Sequence, residues 1–207
     1  GGDEDKALWD PAFVATPLDG QTNPIQDSNG NDHRGQGGVS YAHTPPFGKR
    51  VALWANTFSA VEPSLANRGP VYEEDGQTEW ALIETENETQ DGMTPLGTTS
   101  NTLSFHGSRQ EWQGLAGFND NHVELLDAPD PDSIVITFTG ISDTNNKTQS
   151  DNVFVNEDDV NRTPRVEETG GTYEITGTNN MRNAFLRQYY DVTASGTGPI
   201  SISPYYD

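Results

Sequence analysis

Oxygen ligands are the most abundant chemical resource of this chain: 32 Asp and Glu stand against 11 Lys and Arg, a formal charge of −21. Segment DSNGND places Asp27, Asn29 and Asn31 at positions 1, 3 and 5, as a calcium loop does. It lacks the Gly at position 6, and its twelfth position is Gly38 instead of Glu. DAPDPD offers Asp127, Asp130 and Asp132, and NEDD runs from Asn156 to Asp159. Asp27, Asn29, Asn31, Asp127, Asp130 and Asp132 are the candidate ligands for a structural Ca2+ or another bound cation, and no other cofactor is expected. The plainer reading of each segment is a solvated turn, because Asp, Asn and Gly favour turns for conformational reasons alone.

Catalytic patterns are missing. His33, His43, His106 and His122 stand at neither HxH nor HExxH spacing, so no zinc signature exists. No GxSxG elbow supports serine catalysis. The glycines at Gly35–Gly38 and Gly170–Gly171 lack the strand-to-helix setting of a phosphate loop. Zero cysteines exclude disulfides and thiolate chemistry. A carboxylate pair could cleave glycosides, but with 32 acids many pairs must lie close by chance. Glu79–Trp80 and Glu111–Trp112 are the adjacent acid–aromatic pairs that sugar chemistry would want. The expectation is that the chain is not an enzyme.

The elements that must position these residues read as strands. Segment SIVITFTGIS, Ser133 to Ser142, is almost wholly β-branched or aromatic, preceded by Pro and Asp and broken by Gly140. It predicts a central strand covered on both faces. Shorter strands are expected in VSYAH (Val39 to His43), KRVALWANTFSAVEP (Lys49 to Pro63, with a bulge), EWALIETE, NTLSFHG, EWQGLAGF and HVELLD. Four more are expected in NVFVNED (Asn152 to Asp158), TYEITG, AFLRQYYDVTAS and PISISPYY. Only NMRNAFLRQ, Asn180 to Gln188, offers a short helix. The fold class is therefore all-β: a single jelly-roll type β-sandwich or barrel of about eight to ten antiparallel strands with long loops. Residues 1–48 form an extended N-terminal arm and loop region with a short strand, and residues 49–207 the β-sandwich domain. The polar loop Gln21 to Gly38 suits either a mobile surface loop or an arm laid on a neighbouring subunit.

The acids run from Asp3 to Asp207 through almost every turn, only three lysines occur, and 31% of residues are hydrophobic. Such a chain repels itself in dilute buffer, while at molar salt the screening length falls to about 3 Å. That composition fits an extreme halophile; an ordinary acidic secreted protein is the plainer alternative. Four Trp, seven Tyr and eight Phe set in strand patterns argue for a folded chain rather than a disordered one. No basic stripe exists for nucleic acid, and no apolar run approaches the length of a membrane span. The start GGDED is compatible with removal of an N-terminal segment. Sequons at Asn87, Asn146 and Asn161 permit glycosylation without arguing for it. Tyr205 and Tyr206, following the strand ISIS, are candidate interface residues, since amphipathic Tyr is favoured at protein contacts.

An acidic, cysteine-free, all-β chain of this size, with a long polar arm and no catalytic motif, resembles the single jelly-roll major capsid proteins of haloarchaeal icosahedral viruses with an internal membrane. The resemblance covers strand count, size and composition, not a diagnostic motif. It implies a structural assembly protein of the virion that forms capsomers with copies of itself or other capsid proteins, and no active site. The negative charge departs from what contact with anionic lipid would require, so direct membrane contact is not expected. Two other classes stay open: an extracellular fibre or surface-layer subunit of a halophile, and a secreted carbohydrate-binding module or hydrolase using Trp80 or Trp112.

Overall fold

A computed structural model describes residues 41–55, 59–74, 80–84, 97–108, 110–161, 173–175, 182–194 and 200–204. The other positions lie outside the described residues, among them Asp27, Asn29, Asn31, His33, Asn87, Tyr205, Tyr206 and most of the arm. The domain is all-β, with eleven strands among the described residues. They are β1 (Tyr41–His43), β2 (Pro63–Asn67), β3 (Tyr72–Glu74), β4 (Trp80–Leu82), β5 (Gly114–Phe118) and β6 (Val123–Leu126). Then come β7 (Val135–Thr137), β8 (Thr148–Ser150), β9 (Tyr173–Ile175), β10 (Tyr189–Ala194) and β11 (Ile200–Pro204). Every pairing is antiparallel.

These strands form four separate sheets rather than one closed barrel: β1-β2-β5-β6, β10-β11-β9, β3-β4 and β7-β8. The four-stranded sheet carries the main core on its inner face. Ala42, Ala66 and Ala116 lie in one row across β1, β2 and β5, all buried. Three small side chains in a row leave room for bulky neighbours, and Trp112 and Phe154 share the same core cluster. Their rings meet edge to face at 4.7 Å, and the Trp112 indole N–H donates to the Arg68 carbonyl at 2.8 Å, so burial leaves no donor unpaired. A Cβ on Gly69 would sit 2.2 Å from the Phe154 ring, which makes glycine obligatory there. The β5–β6 hairpin closes through Asn119, Asp120 and Asn121, where Asn121 takes positive φ (72°), as a three-residue loop requires of its last position.

Several expectations are corrected. The stretch Ser133–Ser142 is not a central strand. Only Val135–Thr137 pairs, in a two-stranded sheet, with Val135 exposed between buried Ile134 and Ile136. The chain leaves its partner after Phe138: Thr139 and Gly140 donate instead to the Asp159 and Val160 carbonyls. Strand-forming side chains measure fit to a pleated surface, not the number of neighbouring strands. Lys49–Pro63 is not a bulged strand. Gly48–Trp54 is a 3₁₀ helix whose spacing buries Arg50 and Leu53 together. NTLSFHG also yields a 3₁₀ helix, Asn101–Ser104, with the Ser100 hydroxyl accepting from the Thr102 N–H at 3.2 Å. NVFVNED is a buried turn, where Phe154 N–H bonds the Asn152 side chain at 3.0 Å. Among the described residues 182–188 no helix forms. Strand β2, which begins at Pro63 where the expected Lys49–Pro63 strand was to end, and strands β3 and β8 have no counterpart among the expected strands.

Candidate functional site

Three surfaces merit a functional reading, and each is assembled from segments distant in sequence. The first is the outer face of the four-stranded sheet. Strand alternation puts Tyr41, Asn67, Leu115 and Leu125 in one row and His43, Leu65, Gly117 and Val123 in the next. None of these eight is Asp, Glu, Lys or Arg, although the chain carries 43 such residues. Leu65, Leu115, Val123 and Leu125 are 40–66% exposed, and Tyr41 is exposed beside them. At His43 the row continues into Trp54 and Tyr189, whose rings stand edge-on to the imidazole at 6.2 and 5.3 Å. Asn67 is buried within this face, its side-chain oxygen accepting from the Leu115 N–H at 2.7 Å. With strands about 4.8 Å apart and same-face residues about 6.7 Å apart, the eight positions span on the order of 250 Å².

The second is a cleft of about 440 Å³ lined by Leu53, Ile134, Ile136, Asp151, Asp159, Arg182 and Asn183, among others. Beneath it lies a buried polar network. Arg50 donates from Nε to the Asn183 carbonyl at 2.9 Å and from Nη2 to the side-chain oxygens of Asn156 and Asn183 at 2.7 and 2.5 Å. Asn183 Nδ2 donates to Asp151 Oδ1 at 3.2 Å, and the Ala184 N–H to Asp151 Oδ2 at 2.7 Å. Burial pushes the Asp151 carboxyl up to about 7, against the lowering effect of Ala184, Asn183 and the Arg50 charge. Perturbed acids often mark active sites. Here both carboxyl oxygens are occupied by the chain's own donors, so the group serves the fold. Arg187 acts similarly, donating to the carbonyls of Gly69, Pro70 and Phe154 at 2.7–3.0 Å.

The third is a cleft of about 570 Å³ between the β3–β4 hairpin, the Gln110–Trp112 stretch and the turn Asp127–Asp130. Tyr72 and Trp112 are buried at its base, Trp80 and Leu82 are partly exposed and packed against the core, and Glu111 and Asp127 are exposed at the rim. The Tyr72 phenol is pushed up, chiefly by burial, with Arg187 lowering it and Asp130 raising it; it remains protonated through the working pH range.

The sequence-singled residues divide accordingly. Asp127 and Asp130 border the third cleft, while Asp132 faces β8 and accepts from Ser150 Oγ at 3.4 Å. Among the described residues no three His, Asp or Glu side chains gather as a metal site would need. His43 and His122 lie apart. His122 stacks on Phe118 at 4.4 Å, and its Nδ1 lies 2.5 Å from Asp120 Oδ1. The His122 backbone N–H, then its ring, hold the Asp120 carboxyl below its ordinary range. Both Glu–Trp pairs contribute a Trp to the same cleft, in different roles. The uncharged outer face went unrecognised, although the alternation of Leu115 and of Val123 and Leu125 with their neighbours was its signal. Among the described residues no helix is long and apolar enough to cross a membrane. No family model, curated protein or solved structure matches the chain.

Proposed function

We propose that this chain is a structural assembly protein, a capsid subunit of a halophilic virus that associates in the virion with copies of itself or with other capsid proteins. What supports the reading is the uncharged outer face of the β1-β2-β5-β6 sheet. A chain at −21 repels its own copies wherever acids are displayed, so copies can approach most closely where acids are absent. An uncharged sheet face with exposed Leu65, Leu115, Val123 and Leu125 suits aligned sheet-on-sheet contact. Its area is well under the roughly 800 Å² per partner of a stable isolated interface. It therefore acts together with other contacts, as the repeated subunits of a shell allow. In this reading the separate sheets are portions of one jelly-roll-type sandwich. The absence of any triad of metal-ligating side chains among the described residues is neutral toward it.

Light scattering at roughly 3 M and 0.1 M salt, either side of the range where screening becomes short, tests the proposal. The expected outcome is concentration-dependent assembly at high salt that Leu115→Asp with Leu125→Asp returns to monomer, with unchanged far-UV circular dichroism. A monomer at every concentration and salt, or assembly indifferent to both substitutions, overturns it. Electron microscopy of the assembled material then separates closed shells from the open filaments of a fibre protein.

A further inference from the structure

We propose that the cleft between the β3–β4 hairpin and the turn Asp127–Asp130 binds a neutral hexopyranose unit of a carbohydrate. The cleft holds about 570 Å³, inside the roughly 300–1,000 Å³ range of small-molecule sites. Its lining divides into an apolar part, Tyr72, Trp80, Leu82, Trp112 and Pro129, and an acceptor-bearing rim, Gln110, Glu111, Asp127 and Asp130. A pyranose has the matching division: one face of C–H groups and an equator of hydroxyl donors. The partly exposed Trp80 indole offers the wall on which the C–H face stacks. Ionised carboxylates accept only, and neighbouring hydroxyls donate to them as charge-assisted hydrogen bonds.

Other ligand classes fit less well. Among the described residues the lining contains no Lys or Arg, so phosphates, sulfated sugars and uronates meet acids there and no lining cation. A metal ion lacks a gathered ligand set, as no three acidic or His side chains converge among the described residues. An organic ammonium is attracted by the rim, but aromatic cages surround a cation with several ring faces. Here Trp112 and Tyr72 are 0% and 5% exposed and spend their surface on the core. The proposal stands apart from the assembly reading, because the β3-β4 sheet is separate from the sheet with the uncharged face.

The test titrates the intact chain with glucose, galactose, mannose, N-acetylglucosamine and their disaccharides, read by tryptophan fluorescence and calorimetry, with tetramethylammonium as a parallel titrant. Binding is expected with Kd on the order of a millimolar for at least one sugar, about −4 kcal/mol. Trp80→Ala weakens it at least about tenfold, and Trp80→Tyr, which keeps a ring, restores most of it. Glu111→Gln and Asp127→Asn each weaken it several-fold, with far-UV circular dichroism unchanged throughout. No response to any sugar of the panel overturns the proposal. So does binding indifferent to Trp80→Ala while Trp80→Tyr also has no effect, or binding of tetramethylammonium alone. The Leu115→Asp and Leu125→Asp pair leaves sugar binding intact, so failure of this inference and failure of the assembly reading are separate results.

Discussion

Two clefts of similar size lie on this molecule, and they treat their polar groups in opposite ways. Under the Asp151 cleft, the amide of Asn183, the guanidinium of Arg50 and both oxygens of Asp151 bond to one another and to backbone. In the Trp80 cleft the acids Glu111 and Asp127 are exposed at the rim of an aromatic base. A perturbed carboxyl and a pocket together do not make a binding site, because the decisive matter is whether the polar atoms are already satisfied. The first cleft is a joint between Asp151–Glu157 and Asn183–Arg187, clamped further by the Leu186 N–H on the Val153 carbonyl. The second is a surface.

The comparison breaks most decisively at Asn183. Asn183→Ala strips a partner from both Arg50 and Asp151 inside the core, and should cost about 3–5 kcal/mol. That is a large share of a typical total stability of about 5–15 kcal/mol. Urea unfolding at constant molar salt measures it. A cost under about 1 kcal/mol would mean that the network holds little, and would return the Asp151 cleft to the list of binding sites.

The two tryptophans sharpen it next. Trp112 is wholly buried with its N–H paired to Arg68, so Trp112→Ala should cost about 3–5 kcal/mol. Trp80 is only partly buried against the core, so Trp80→Ala removes less buried area and should cost about 1–2 kcal/mol. Equal costs in the same urea experiment would place both in the core and deny the cleft its platform.

The smallest net change, and the most diagnostic, belongs to Asp151→Asn, about 1 kcal/mol at neutral pH. The unfolded chain ionises this carboxyl near 3.8 and the folded chain near 7. Between those values the folded form keeps a proton that the unfolded form has lost. The group's contribution to stability is therefore full below 3.8 and falls as pH rises towards 7. The wild-type curve minus the Asn183-intact Asp151→Asn curve should slope downward with pH across that interval. A flat difference would show that Asp151 is ionised and solvated in the fold.

Much of this was legible in the chain. Period-two patterns around Leu115 and Val123–Leu125, with Asn-Asp-Asn between them, specify the β5–β6 hairpin locally, since alternation and turn residues sit side by side. VSYAH, EWALIETE and PISISPYY likewise each contain the strand expected of them. The Trp80 cleft was half visible in the two Glu–Trp pairs, which named its aromatics without saying that only one faces solvent. Composition by itself excluded thiolate chemistry within these 207 residues.

What only the tertiary structure decided are the matters that depend on distant partners. Segment Ser133–Ser142 has strand-forming residues throughout, yet its pairing ends where Asp159 and Val160 capture its backbone. Arg50 sits in a segment with strand character, but a 3₁₀ helix delivers its guanidinium to Asn156 and Asn183, over a hundred residues away. Local sequence determines which faces are apolar and where the chain turns, because those preferences act over a few residues. Which buried donor meets which acceptor, and which of two tryptophans is left partly exposed, depends on contacts between separate segments that no local pattern encodes.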